Sequence, residues 1–329
     1  MNLILLVPAV LALVLVLGAV FTWAHTRRVE RLYPATGRFM EVEGCRLHYI
    51  ERGPDGAEPL GTIVLLHGAT SNLVEAMLGL GSALAPRYRV IAFDRPGHGW
   101  SRRRRGIGGA QPAWQAAVIA GALRRLGVRN AVIAGHSWSG AVVPHFGLDH
   151  ADVAGALFIL SGVTHPWPGG YISWYNRLTA SPLGWLFART LAIPIGLMLF
   201  RSAARKSFSP QPVPPGFLEK AFIPLVLRPA AFHANSRDIA VLHDAVTRQS
   251  ARYGEIRLPA VVMGGDRDEI VWTDLHSRSF ARDVAGAELV VLPGVGHLPQ
   301  YARPDLVLSA IEALAGRVAP AAEEPARSL

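Results

Sequence analysis

Residues 130–140 read NAVIAGHSWSG, and this stretch decides the fold. The apolar run at 130–134 is typical of a strand buried in a parallel sheet, and a helical pattern follows it. Ser137 then lies on a tight turn between strand and helix, which lifts its hydroxyl clear of the sheet edge. Such a turn brings two backbones close together and therefore needs small residues around it. The sequence supplies Gly135, Ser139 and Gly140.

Apolar strand signals alternate with helical signals on both sides of this stretch. Strands are predicted at 62–66, 88–93, 130–134, 155–160, 260–263 and 287–292, after a hairpin at 39–43 and 46–52. Helices are predicted at 72–84, 111–126, 140–148, 273–281 and 303–315. This alternation predicts an α/β fold with a doubly wound, mostly parallel sheet. Its core divides into two parts, 37–161 and 259–316, and a flexible tail is expected at 317–329.

A long stretch at 162–258 does not fit the alternation and is rich in proline and tryptophan. Because a structureless loop of that length is implausible in a compact domain, we predict an inserted, mainly helical lid. Residues 182–200 are apolar enough to suggest a second membrane segment, but Arg189 and Pro194 argue against one. Two apolar lid helices packed on the core are the alternative that we favour. A lid face that touches the bilayer is an intermediate possibility.

The N-terminal stretch at 2–24 carries no charged side chain and is long enough, as a helix, to cross a hydrocarbon core. A cleaved signal peptide would have a basic start and a shorter apolar run, so an uncleaved transmembrane anchor at 1–24 fits better. A juxtamembrane linker at 25–36 contains Arg27, Arg28 and Arg31. The positive-inside bias places these arginines, and the domain after them, on the cytoplasmic side of the membrane.

The composition narrows the class of protein further. Of the 329 residues, half are hydrophobic and 17% are charged, which excludes a disordered chain. A single cysteine, Cys45, excludes an intramolecular disulfide framework and an ordinary cysteine zinc site. The net charge of +9 fits an anionic membrane surface better than nucleic acid, because no nucleic-acid-binding motif is present.

Two further loops follow strands at the same edge of the predicted sheet. Residues 264–271 read GGDRDEIV and residues 294–299 read GVGHLP. A histidine in a glycine-flanked loop at the carboxyl end of a strand is well placed to reach Ser137, and this histidine is His297. A solvated loop histidine is the alternative. The aspartates of the first loop, Asp266 and Asp268, also fit the cap of a following helix.

With HGAT at 67–70 and DRPGHGWS at 94–101, these motifs resemble the α/β-hydrolase family in order along residues 37–316. The family elbow reads G-x-S-x-G, and Ser139 departs from it where glycine is usual. The resemblance implies a triad of Ser137, Asp268 and His297, with Asp266 as the rival acid. It also implies an oxyanion hole formed by the amides of Ala69 and Trp138. The elbow and pocket loop implied by the resemblance comprise Gly135, His136, Ser139, Gly140, His67 and Gly68.

The resemblance implies a serine hydrolase that cleaves carboxylic esters through an acyl-enzyme, with no cofactor and no metal. Family members that open epoxides or carbon–halogen bonds carry aspartate at the nucleophile, so Ser137 argues against both activities. The apolar lid and the anchor favour a hydrophobic or lipid-like ester as substrate, with the membrane as the other partner and no nucleic acid. Carbon–carbon bond hydrolysis, cofactor-free peroxidation and non-catalytic binding remain alternatives. The arginine run at 102–105 is expected to be a solvated face that could meet lipid headgroups.

Overall fold

The computed structural model of the chain describes residues 3–103, 106 and 108–318. Arg104 and Arg105 of the arginine run lie outside the described residues, as does 319–329 of the predicted tail. The structural statements below refer to the described part of the chain.

The described residues contain eight strands, which form one sheet. In chain order they are β1 (Arg38–Val42), β2 (Cys45–Arg52), β3 (Thr62–Leu66), β4 (Arg89–Phe93), β5 (Ala131–His136), β6 (Ala154–Leu160), β7 (Ala260–Gly265) and β8 (Glu288–Leu292). Their order across the sheet is β1-β2-β4-β3-β5-β6-β7-β8. The hairpin strands β1 and β2 pair with each other in antiparallel fashion, and β2 pairs in the same way with β4. All other pairs are parallel. The predicted doubly wound, mostly parallel sheet is therefore confirmed.

The helices connect the strands and cover both faces of the sheet. They are α1 (Leu3–Leu32), α2 (Leu73–Ala76), α3 (Ser82–Leu84), α4 (Pro112–Arg125), α5 (Val143–Asp149), α6 (Trp174–Ala180), α7 (Gly184–Thr190), α8 (Ala192–Phe208), α9 (Phe217–Lys220), α10 (Pro229–Ser250), α11 (Ser277–Asp283), α12 (Pro299–Ala302) and α13 (Pro304–Ala315). Separate apolar clusters pack on the two faces of the sheet, which explains why the parallel strands are apolar along their whole length.

Three helix boundaries differ from the predicted ones. A turn of π-helix at Met77–Gly81 joins α2 to α3 inside the helix predicted at 72–84. A short 3-10 helix at Ser137–Ala141 precedes α5. The helix predicted from 273 begins instead at Ser277, because the Thr273 hydroxyl donates to the Gly265 carbonyl at 2.6 Å and holds Thr273 against the end of β7.

The helices α6–α10 lie between β6 and β7, where the sequence predicts an inserted helical lid. We refer to residues 162–258 as the insertion. The apolar run at 182–200 forms parts of two helices, α7 and α8, which meet at an angle of 72°. The insertion has an apolar cluster of its own, consisting of Ile193, Phe208, Phe217, Ala221, Ile223, Val226 and Leu227.

The N-terminal helix α1 is longer than the predicted anchor. It continues to Leu32, so most of the predicted linker at 25–36 is helical. The reason is local, since this stretch contains neither glycine nor proline before Pro34 and is rich in arginine, a good helix former. Within the described range, α1 is the helix that is long and apolar enough to span a membrane. The α7–α8 pair meets the same criterion only if its two arms count as one span.

Candidate active site

Ser137 stands at the end of β5, as the first residue of the short 3-10 helix. Its φ of +54° lies in the left-handed region, which is costly for a residue with a side chain. The turn packs closely on the chain that follows β6, because a Cβ atom at Gly140 would come within 2.5 Å of the Gly162 Cα. The expectation that the turn needs small residues is thus met, and the strain is concentrated at Ser137.

Ser139, which departs from the family elbow, has a specific contact. Its side chain is fully buried, and its hydroxyl donates to the carbonyl of His67 at 2.6 Å. This bond joins the elbow to the loop that follows β3. A glycine at this position would fit the turn but would leave that carbonyl without the hydroxyl donor.

Ser137, His297 and Asp268 form one hydrogen-bonded chain. The His297 Nε2 atom lies 2.9 Å from the Ser137 hydroxyl oxygen, and His297 Nδ1 lies 2.7 Å from Asp268 Oδ2. The three side chains come from the carboxyl ends of β5, β7 and β8, which meet at one edge of the parallel sheet. All three residues are buried, so the chain of contacts is largely shielded from water.

Asp268 is held as a carboxylate by its neighbours. Burial by itself would raise its pKa, but the His297 ring and two backbone amides hold the pKa below its usual value. These amides belong to Ile270 and Val271, and each donates to Oδ1 at 2.9 Å. Asp266 is exposed and instead accepts the Gly294 amide at 2.7 Å. The carboxylate that contacts the histidine is therefore that of Asp268.

The loop at 67–70 lies directly beside Ser137. A Cβ atom at Gly68 would come within 2.9 Å of the Ser137 Cβ, so only glycine allows this approach. The next residue, Ala69, is half-buried beside the cavity described below. The Thr70 amide donates to the Asn235 side chain at 2.8 Å, which fixes the far end of the loop to α10.

His136, the residue before Ser137, contacts the loop that carries His297. Its Nε2 atom is 2.9 Å from the His297 carbonyl oxygen, and the two rings lie 5.0 Å apart. Burial lowers the pKa of His136 to about 3, so this imidazole is neutral at physiological pH. A neutral ring at this place supports the His297 loop without adding a positive charge beside it.

A cavity of about 650 Å³ opens at the Ser137 hydroxyl. This volume lies in the range of small-molecule sites. Core residues supply its polar end around Ser137 and His297, and the insertion supplies most of its walls. The walls are mainly apolar and include Phe187, Ile195, Leu199, Phe200, Leu227 and Phe232. The cavity therefore has a polar end at the edge of the sheet and mainly apolar walls from the insertion.

A sequence profile of the alpha/beta hydrolase family matches residues 63–310. The chain belongs to this family. An uncharacterised protein of Mycobacterium tuberculosis is 26% identical over 322 residues, which cover 90% of this chain and 86% of that protein.

Other curated relatives match over shorter stretches. The acetyltransferase component of the acetoin cleaving system of Cupriavidus necator is 29% identical over 155 residues, 45% of this chain. Epoxide hydrolase A of Mycobacterium tuberculosis is 31% identical over 126 residues, 38% of this chain. The chain spans only 40% and 38% of the lengths of these two proteins.

Solved structures share the fold at lower identity. The enol-lactonase from Burkholderia xenovorans LB400 has a TM-score of 0.66 at 19% identity and covers 85% of this chain and 100% of its own. A bacterial membrane phospholipase A has a TM-score of 0.64 at 21% identity and covers 96% of this chain and 97% of its own. The α/β-hydrolase fold is thus supported by sequence and by structure.

Arg95 is a site residue whose role the motif alone did not reveal. This fully buried guanidinium donates to the carbonyls of His67 and Gly68, at 3.0 and 3.2 Å. It also stacks on the Trp138 ring, 4.1 Å from the centroid, and donates to Asp238 at 2.9 Å. Arg95 thereby connects both predicted oxyanion-hole turns of this α/β-hydrolase to the insertion. The DRPGHGWS motif marked the segment, but nothing in it identified the partner on α10.

The expectation of a solvated arginine face is wrong for Arg103. Its side chain is buried, and it pairs with Asp238 and donates to the Ala234 carbonyl at 3.0 Å. Asp238 is fully buried between the guanidiniums of Arg95 and Arg103. A buried carboxylate shared by two buried guanidiniums overrides here the general preference of arginine runs for water.

Glu75 is another buried acid at the cavity that the motifs did not indicate. Burial raises its pKa above the usual value, and it accepts hydrogen bonds from Ser71 and Gln300 at 3.3 and 3.2 Å. Within the described residues, no group of three His, Cys, Asp or Glu side chains is placed to hold a metal ion.

Proposed function

We propose that the chain is a serine hydrolase that cleaves a hydrophobic carboxylic ester through an acyl-enzyme intermediate. The observation that carries the proposal is the contact of the Ser137 hydroxyl with His297 at 2.9 Å, continued to Asp268 at 2.7 Å. A nucleophile within hydrogen-bond reach of a base, which is itself oriented by a third group, is the arrangement that activates serine.

The proposed reaction begins at the ester carbonyl. His297 Nε2 accepts the Ser137 proton as the oxygen attacks, and Asp268 stabilises the imidazolium and holds its tautomer. The amides of Ala69 and Trp138 then stabilise the oxyanion, and one such donor lowers the barrier by about 3–4 kcal/mol. His297 returns its proton to the leaving alcohol. Water then releases the acyl group, again with His297 as the base.

The serine distinguishes this proposal from epoxide opening, the activity in the name of epoxide hydrolase A. In the family, enzymes that open epoxides use an aspartate to attack the ring carbon. Here the elbow presents the Ser137 hydroxyl, and Asp268 is engaged with His297 and two amides. Ester chemistry therefore fits these side chains better than epoxide chemistry does.

The choice of a hydrophobic, lipid-like substrate is supported by the cavity and by α1. The cavity walls are apolar, and α1 is a candidate membrane anchor. We propose that α1 spans a bilayer and that the catalytic domain lies on its cytoplasmic side. The neighbour that covers 96% of this chain is described as a membrane phospholipase A, in keeping with a membrane lipid ester.

A fluorophosphonate probe tests the serine mechanism directly. We expect the full-length protein in detergent to be labelled at Ser137, and the Ser137→Ala variant to be unlabelled and inactive on p-nitrophenyl esters. A folded protein that does not react with the probe would contradict the proposal. A substrate panel separates ester hydrolysis from the alternative reactions of the same triad. It compares esters of increasing chain length with β-diketones, which test carbon–carbon bond hydrolysis, and with halide plus peroxide, which tests peroxidation.

A further inference from the structure

The contacts of α1 with the insertion limit how much of this helix is free to meet lipid. Residues 6–14 are all exposed, whereas Leu15 is partly buried and Gly18, Thr22 and Val29 are buried. The Thr22 hydroxyl lies 3.3 Å from the Thr190 carbonyl, and a Cβ atom at Gly18 would lie 2.6 Å from the same oxygen. Thr190 is the last residue of α7, so the α7–α8 corner is level with residues 18–22 of α1.

The length of the free part is too small for a bilayer. Even if all of 3–14 is counted, 12 residues of helix span about 18 Å, whereas the hydrocarbon core is about 30 Å thick. The remaining 12 Å or so require about eight more residues of α1, which are 15–22. This stretch includes Gly18 and Thr22, which contact Thr190 at the α7–α8 corner. Any tilt of α1 would increase the number of residues required.

We propose that the α7–α8 corner is immersed in the same lipid bilayer that α1 crosses, with lipid acyl chains as its occupant. This inference rests on the proposed role of α1 as a membrane anchor. It assigns to the insertion a second contact with the membrane, in the manner of a helix that lies in one leaflet.

The side chains of the two helices fit such an environment. Trp185 and Met198 are 52% and 83% exposed, and other exposed apolar residues on the insertion are Tyr171, Trp174, Leu178, Leu183, Leu197 and Leu199. Tryptophan and tyrosine are favoured at the boundary between headgroups and acyl chains. Arg189 precedes Thr190 at the corner, and its guanidinium lies over the Trp185 ring at 5.9 Å. A long arginine side chain in this position can extend to the headgroups.

The corner is also part of the cavity wall. Leu199 of α8 lines the cavity and is half exposed, and Trp174 of α6 does the same. An immersed corner therefore places acyl chains of the bilayer next to residues that reach the Ser137 cavity. A hydrophobic ester could then enter from the leaflet without crossing water.

Depth-dependent quenching tests the proposal without relying on hydrolysis. Single cysteines are introduced by Trp185→Cys and Met198→Cys in the full chain and labelled with a bimane fluorophore. The labelled protein is reconstituted in vesicles of phosphatidylcholine and phosphatidylglycerol with bromine on the mid-chain carbons. The native cysteine, Cys45, is buried, and wild-type protein serves as the blank.

Two matched positions complete the experiment. Leu11→Cys lies on the free part of α1 and reports whether the helix enters the bilayer. Leu60→Cys is a similarly exposed apolar position, at 68%, before β3 and hence at the opposite edge of the sheet from the insertion. We expect fluorescence loss at Trp185, Met198 or both to approach that at Leu11 and to exceed that at Leu60 several-fold.

The outcomes separate the inference from the proposed anchor. Quenching at Leu11 with both corner positions no more quenched than Leu60 overturns the inference but leaves the anchor intact. No quenching at Leu11 overturns both, whatever the esterase assay shows. Crosslinking of the corner cysteines between two chains, without lipid quenching, would identify a second copy as the occupant and also overturn the inference.

Discussion

The carboxyl edge of the sheet and the helical insertion contribute differently to the same cavity. The edge holds Ser137, Asp268 and His297 on the ends of three parallel strands, each fixed by backbone pairing. The insertion supplies apolar walls from α7 and α8, with an apolar cluster of its own. The proposed chemistry thus depends on the parallel sheet, which is the most regular part of the fold. The fit of the substrate depends on the insertion, which is the least regular part.

The two regions are nevertheless joined at a few buried polar contacts. Asp238 and Asn235 of α10 reach Arg95 and the Thr70 amide, which belong to the loops around Ser137. A wall that only enclosed substrate would not need such contacts. Part of the insertion therefore also positions the reactive end.

The largest expected effect is on kcat, and it comes from a substitution at the carboxyl edge of the sheet. Replacing Asp268 with Asn should lower kcat for a soluble ester by about 10⁴-fold, because the wrong imidazole tautomer would then face Ser137. Asp266→Asn is the matched control, since this exposed neighbour accepts the Gly294 amide and is not hydrogen-bonded to His297 in the described structure. We expect the control to keep nearly full activity in the same p-nitrophenyl ester assay. Equal losses in both variants would contradict the assignment of the acid.

The next effect tests the junction between the two regions. Asp238→Ala would leave Arg95 and Arg103 buried without their shared carboxylate, and we expect the free energy of unfolding to fall by about 3–5 kcal/mol. Urea unfolding followed by circular dichroism measures this loss. Asp152→Ala breaks an exposed pair with Arg124 and should cost no more than about 1 kcal/mol. A small loss at Asp238 would mean that this charged cluster contributes little to holding the insertion on the core.

Acid should weaken a second junction, at His276. This buried imidazole accepts the Thr164 amide at 3.3 Å, where the insertion begins, and burial lowers its pKa to about 4. Between about pH 6.5 and 4 the unfolded chain binds a proton that the folded chain does not. Stability therefore falls as pH falls through this window, by at most about 1.4 kcal/mol per pH unit for this group.

Urea midpoints at pH 7, 6, 5 and 4.5 measure that slope. His276→Asn keeps an acceptor near the Nδ1 position but does not titrate, so its stability should decline less steeply than that of the wild type. Parallel curves for the two proteins would show that other buried histidines, such as His67 and His98, account for the acid sensitivity. The pKa values of both are lowered chiefly by burial.

The smallest expected effect concerns the elbow. Ser139→Ala removes the donor to the His67 carbonyl and should lower the free energy of unfolding by about 1 kcal/mol. Ser250→Ala, which removes a similar bond at the exposed end of α10, should change stability little. Thermal melts of the two variants provide the comparison. Equal melting temperatures for the two variants would show that the bond from Ser139 to His67 contributes little to stability.

The sequence predicted the sheet well because each parallel strand is an uninterrupted apolar run with a turn signal after it. The run at 62–66, for example, became β3 without a change of boundary. The resemblance to the α/β-hydrolase family also implied the contact of Asp268 with His297, with Asp266 as the rival acid. Asp238 was not, because its partners Arg95 and Arg103 lie more than 130 residues earlier in the chain. Periodicity describes one element at a time and carries no information on such pairs.

The helical continuation of α1 through the predicted linker has a consequence for how far the domain can move. A flexible linker of 12 residues has an end-to-end distance of roughly 20 Å, so the domain could move over a similar distance. Here the helix runs on to Leu32, and Glu30 pairs with Arg228 at 3.2 Å beside the start of α10. If α1 spans a membrane as proposed, the tilt of this helix sets the orientation of the domain, and the entrance of the cavity stays at a fixed height above the membrane.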